Sequence, residues 1–137
     1  LIGRKEENNF SEINEIIKNV SLGKNILSLN KDLTFPTEFG EKAGNGAVVK
    51  IIEDELSISI PTLGKSGNHY SSYFIQNKII VNYVIGDRVD TDIIFGKNLN
   101  AKTFLVSSGI KNYLDVNIAD IQLNKFSDVV PFLTEQS

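Results

Sequence analysis

The chain contains no cysteine, no methionine and no tryptophan, and only one histidine and three prolines. Without cysteine there can be no disulfide and no thiolate nucleophile or ligand. A single histidine leaves no means of building a His-rich zinc site. A net charge of −3 gives no general attraction to nucleic acid or to an anionic membrane. No apolar run approaches the ~20 residues of a membrane span, and no secretory-signal pattern opens the sequence. These absences fit a cytoplasmic protein with no membrane partner. Because methionine is missing and Leu1-Ile2-Gly3 reads as the end of a buried strand, a segment upstream of Leu1 is expected in the parent protein.

What is present is an ordinary soluble composition, 41% hydrophobic and 23% charged over 137 residues, which is enough for a real core. Phe10, Ile13, Ile16, Ile17 and Val20 recur at helical spacing. Asn9 is placed to cap that helix, Glu12 lies three residues on, and Gly23 ends it. Residues 25–29 read as a strand, residues 30–40 as turn, residues 43–52 as the small-residue opening of a short helix, and residues 56–60 as another strand. The second half alternates in the manner of βαβ units: helix 70–77, strand 79–85, helix 91–99, strand 103–107 and a closing helix 126–133 distorted at Pro131. A boundary between substructures is expected near residues 57–63.

The strongest chemical signal is Gly86-Asp87-Arg88-Val89-Asp90-Thr91-Asp92. An apolar, β-branched run stops at Gly86-Asp87, and a second acid follows as a helix begins. In open α/β sheets, ligands bind outside the carboxyl ends of the strands. Oxygen ligands from one or two carboxylates, completed by water, suit magnesium. Gly86 would let the backbone turn so that Asp87 enters the crevice. The competing reading is that Asp90 and Asp92 only cap the helix and complement its dipole. Arg88 could meet an anion or pair with Asp90 or Asp92. Lys65, after Gly64, could neutralise a phosphate or simply be a solvated turn residue. Asn30 and Asp32, in a loop after a strand, could carry specificity or form an Asx-turn.

In this order the segments resemble a family. Gly86 to Ile93 with Gly96, the following strand Lys102 to Ile110, the pair Gly64-Lys65, and Leu29-Asn30-Lys31-Asp32 with Gly44-Asn45-Gly46 are similar to motifs of the haloacid-dehalogenase (HAD) superfamily. The resemblance is to its C2-capped (type IIA) phosphatases, related to phosphoglycolate, pyridoxal-phosphate and 4-nitrophenyl-phosphate phosphatases. It implies an α/β fold: the C-terminal part of a Rossmann-like core with a parallel sheet (residues 61–137), preceded by the end of an α/β C2 cap (residues 1–60). It also implies a Mg2+-dependent hydrolase of small phosphomonoesters, in which an aspartate attacks the ester to give an aspartyl-phosphate. Asp87 would hold the metal, Asp92 would support it, and Lys65 would neutralise the phosphate. Asn30 and Asp32 would face the substrate from the cap.

The sequence departs from that pattern in one decisive respect. The attacking motif, two aspartates one residue apart followed by glycine, is absent, as is the Ser/Thr-Asn phosphate motif. Ser66 and Asn100 stand where the family usually has proline and glycine. The resemblance therefore implies a truncated phosphatase, inactive alone. Its partner would be the missing N-terminal half, or another protein covering the exposed half-sheet. The alternative is a non-catalytic binding protein docked on a larger assembly such as a ribosome, with nucleic acid not the only contact.

Overall fold

A computed structural model describes residues 1–3 and 9–134. The chain divides into two compact units, Leu1–His69 and Tyr70–Ser137.

In the first unit, helix α1 (Phe10–Ser21) begins where Asn9 Oδ1 accepts the Glu12 N–H at 2.9 Å. That bond satisfies one of the donors a helix start leaves unpaired. Its apolar stripe, Ile13 with Ile16 and Ile17, packs with Val48, Val49 and Ile52 of α2 (Asn45–Leu56), together with Ile2, Ile26 and Ile60. Ile52 is wholly buried, and burial of such a side chain stabilises by about 1.5–3 kcal/mol. Three extended segments run parallel through this unit, bridged at Ile2–Ser28 and Ser28–Thr62. Ser28 is the central position. The flanking residue Leu29 donates to the Ile2 carbonyl, and Ser28 itself donates to the Pro61 carbonyl.

The elements differ from the sequence expectation at several places. Residues 25–29 contribute a single bridged position, Ser28, rather than a regular strand. The expected turn at 30–40 instead holds β1 (Thr34–Thr37), which forms an antiparallel hairpin with β2 (Gly40–Ala43). Pro36 is tolerated there because a two-stranded ribbon has only edges. The expected strand 56–60 is absent. Leu56 is the last residue of α2, Ser57 turns left-handed at φ 52°, and Glu53 accepts the Ile60 N–H, folding the segment back onto the helix.

In the second unit a three-stranded parallel sheet has the order β3-β4-β5: β3 (Tyr83–Gly86), β4 (Lys102–Val106) and β5 (Ile121–Leu123). This is the parallel α/β architecture the sequence implies. One face carries Val89, Ile93, Leu105 and Ala119, and the other Phe104, Val106, Val129 and Phe132. That two-sided cover explains why β4 reads as a continuous apolar run.

Helix α3 (Asn68–Gln76) places Tyr70 and Phe74 against Phe95 of α4 (Ile94–Asn98). The expected strand from Ile79 starts only at Tyr83. Lys78 is left-handed, the Ile79 N–H closes the end of α3, and the ladder opens where Tyr83 meets Lys102. Ile80 is consequently exposed. The helix expected at 91–99 begins earlier, as a π-helical turn over Val89–Ile93, before α4. The chain closes with a 3-10 turn (Phe126–Val129) and α5 (Val130–Thr134). The short β5 had no counterpart in the sequence reading. No helix among the described residues is long and apolar enough to cross a membrane.

Candidate functional site

The acids after β3 have three different environments. Asp87 follows the last residue of β3, at the carboxyl end of a parallel strand. It is half-buried, and its carboxylate has no hydrogen-bond or ion-pair partner among the described residues. Asp90 is neutralised: Arg88 holds it by two bonds, Nε to Oδ1 at 3.1 Å and Nη2 to Oδ2 at 2.8 Å. Of the partners open to Arg88 in the sequence, Asp90 is held in an ion pair, and the planar fork of the guanidinium suits that bidentate grip. Asp92 is buried, and its Oδ2 lies 3.4 Å from the Arg88 N–H.

The role of Gly86 differs from the expectation. Its φ is not among the positive ones, which fall at Gly23, Gly40 and Gly109. Glycine is needed because a methyl group there would collide with the carboxyl of Asp92. Gly86 therefore admits Asp92 to the end of the strand rather than turning Asp87.

One further side chain holds this loop. Asn112 Oδ1 accepts the Val89 N–H at 2.7 Å, and its Nδ2 donates to the Asp87 carbonyl at 3.0 Å. Nothing local in the sequence marks it, because the contact spans more than twenty residues. Asp120 was also missed. It accepts from Lys97 and from the Thr103 N–H and hydroxyl, and these bonds hold its carboxyl down to about 2.

The candidate residues of the first unit converge at one end of its parallel layer. The bridge Ser28–Thr62 puts Asn30 and Gly64 in register, and Gly64 packs against the backbone of Asn30 and Leu29. Lys65 is exposed in the next turn, closed by the Gly67 N–H on the Gly64 carbonyl at 2.9 Å. Asn30 Oδ1 accepts the Asp32 N–H at 3.3 Å, so the Asx-turn reading describes this loop.

The loop is braced from below. Gly44 and Gly46 come so close to the carbonyls of Asp32 and Lys31 that no side chain fits. Buried Asn45 donates to Ser28 Oγ at 3.0 Å and to the Asn30 carbonyl at 2.7 Å. A polar residue between two glycines was the available sign of this role. Lys31 pairs with Glu53 at 2.7 Å. Burial acts to raise the Glu53 carboxyl, but Lys31 and the Ile60 N–H outweigh it and hold the group below its ordinary value. Asn30, Asp32 and Lys65 thus belong to one unit, and Asp87 and Asp92 to the other.

A hard cation matches the donor chemistry of the second unit: one unengaged carboxylate following β3 and one buried carboxylate packed against Gly86, both oxygen donors. No group of three or more acidic or histidine side chains that could hold a metal occurs among the described residues. Such an ion would keep water ligands or take donors from elsewhere.

Residues 81–130, which contain this acidic loop and the sheet, match the family model described as HAD-hydrolase-like. The acid sugar phosphatase of Staphylococcus epidermidis is 28% identical over 125 residues, covering 88% of this chain and 48% of the relative. Over residues 81–130 the chain is similar to hydrolases of the haloacid-dehalogenase type. It spans about half the length of the curated relatives it matches. Among solved structures, a double mutant of a thermostable NPPase from Geobacillus stearothermophilus superposes with a TM-score of 0.73 at 24% identity, covering 92% of this chain and 52% of that one. A glycerol phosphate phosphatase from Mycobacterium tuberculosis, in complex with magnesium, gives 0.68 at 21% identity, covering 88% and 39%. These two likenesses show that the chain shares the fold of those proteins.

Proposed function

We propose that this chain is the C-terminal portion of a magnesium-dependent HAD phosphatase acting on small phosphomonoesters in the cytoplasm. In this reading residues 1–60 end the C2 cap and residues 61–137 form half of the core. The observation that carries it is the unengaged Asp87 carboxylate at the end of β3, with buried Asp92 admitted beside the same strand end by Gly86. Asp87 would bind Mg2+ directly, and Asp92 would hold the shell around it. The ion, when bound, offsets charge between the phosphate and the attacking group.

Lys65 would neutralise the phosphate as charge develops on it. Asn30 and Asp32 would meet the organic part of the substrate from a loop that Asn45 and the flanking glycines keep rigid. The attacking carboxylate is not among these residues. It would come from a segment pairing with β3, whose only partner strand among the described residues is β4. The 137 residues alone would therefore not turn over.

The test is to isolate the protein carrying this sequence from its host, as expressed there, and measure hydrolysis of p-nitrophenyl phosphate with and without Mg2+. The expected result is Mg2+-dependent hydrolysis that Asp87→Asn abolishes and that the 137-residue chain lacks. If the native protein is inert in its folded state, or hydrolysis is indifferent to Asp87→Asn, the proposal fails. Inertness would leave the docked, non-catalytic protein as the better account.

A further inference from the structure

We propose that Asn112 is a positioning residue that sets the direction of Asp87. This rests on the reading of Asp87 as a metal ligand. Where β3 ends, the chain leaves its ladder and enters a π-helical turn, and the Asp87 carbonyl and the Val89 N–H are paired by a side chain rather than by ladder or helix. Asn112 supplies both missing halves at once. Its carbonyl takes the Val89 N–H, and its amide donates to the Asp87 carbonyl. A side-chain amide carries one acceptor and paired donors, so it can stand in for a neighbouring strand's peptide. Its orientation is fixed by these partners, because reversing it would set donor against donor and acceptor against acceptor.

Val89 is fully buried with Asn112 in place, so the Asn112 side chain keeps solvent from its N–H. The two bonds flank Arg88, whose guanidinium is spent on Asp90. The backbone that carries Asp87 is thereby fixed from the strand on one side and from Asn112 on the other. Asn112 itself comes from the loop after β4, beyond the left-handed Gly109. It also borders an open cavity of about 400 Å3 lined by Ser107, Ser108, Gln122 and Asn124. Shortening its side chain opens onto that space, so the effect reports the lost hydrogen bonds rather than a packing void.

The experiment uses the 137-residue chain, labelled for NMR, and Mg2+ alone as the probe. In the unsubstituted chain, Mg2+ should shift the Asp87 side-chain carboxyl signal. In Asn112→Ala, the Val89 amide should exchange with solvent at least tenfold faster, and at least ten times more Mg2+ should be needed for the same Asp87 shift. Phe132→Leu, which lowers stability from the core on the other face of the sheet, should leave the Mg2+ dependence unchanged. If Asn112→Ala does not fold, Asn112→Gln, which keeps the amide on a longer stem, is read in the same two ways. Equal Mg2+ dependence in the unsubstituted and Asn112 variants overturns the positioning role alone. An unsubstituted chain whose Asp87 signal ignores Mg2+ overturns the metal reading beneath it.

Discussion

The carboxyl of Asp92 occupies the space that a side chain on Gly86 would need. Adding a methyl group to a filled site costs about 1–3 kcal/mol. Gly86→Ala should therefore lower stability to urea by that amount. Asp92→Ala should relieve part of the clash, so the double variant should be more stable than the sum of the single effects requires. A double-mutant cycle from urea unfolding measures that coupling. Strict additivity would mean that the two residues do not share the space.

Asn45 makes the corresponding structural bond in the first unit. It is buried, and its amide donates to Ser28 Oγ and the Asn30 carbonyl. Asn45→Ala leaves buried acceptors short of a donor and should cost about 2–3 kcal/mol. Asn45→Asp should be worse, because it sets a carboxylate against the Asn30 carbonyl. Chemical denaturation of the two variants gives the order, and equal stability would remove Asn45 from this role.

Asp120 predicts an acid limit. Its carboxyl is held at about 2, below an ordinary 3.8, by Lys97 first and then by Thr103. A group whose folded value is depressed adds stability above its unfolded value and loses it as the proton returns. This contribution is full above about pH 4 and fades towards pH 2. The melting temperature should fall less between pH 6 and pH 3 in Asp120→Asn than in the parent chain. Thr103→Val should move the Asp120 titration back towards the ordinary range by NMR. An unmoved titration would show that Thr103 does not hold it.

Much of this molecule was legible in local spacing. Asn9 and the Ile13–Ile16–Ile17 stripe specify α1, and the β-branched approach to Gly86-Asp87 specifies a strand end with an acid on it. Such signals work because helix caps and strand ends are decided within a few residues. The Asx-turn at Asn30 was legible for the same reason.

Asn112 was not, because its partners lie on another segment, and the glycines around Asn45 marked a close approach without naming Ser28 and Asn30 as its partners. Ile79 and Ile80 misled because β-propensity says where a strand is welcome, while the ladder begins only where the partner does, at Lys102. The residues 56–60 misled because Glu53, through the Ile60 N–H, folds the chain back instead of extending it.

The π-helical turn over Val89–Ile93 has a consequence for phase. There the Ile93 N–H reaches back to the Arg88 carbonyl, one position further than an α-helix allows. Each residue of an α-helix advances about 100° around its axis, so the surplus residue shifts the acidic turn by roughly that angle against α4. A helical wheel drawn continuously from Val89 to Asn98 would assign the acids to the wrong side. A one-residue deletion within 89–93 would bring the two stretches into step and carry Asp92 away from its contact with Gly86.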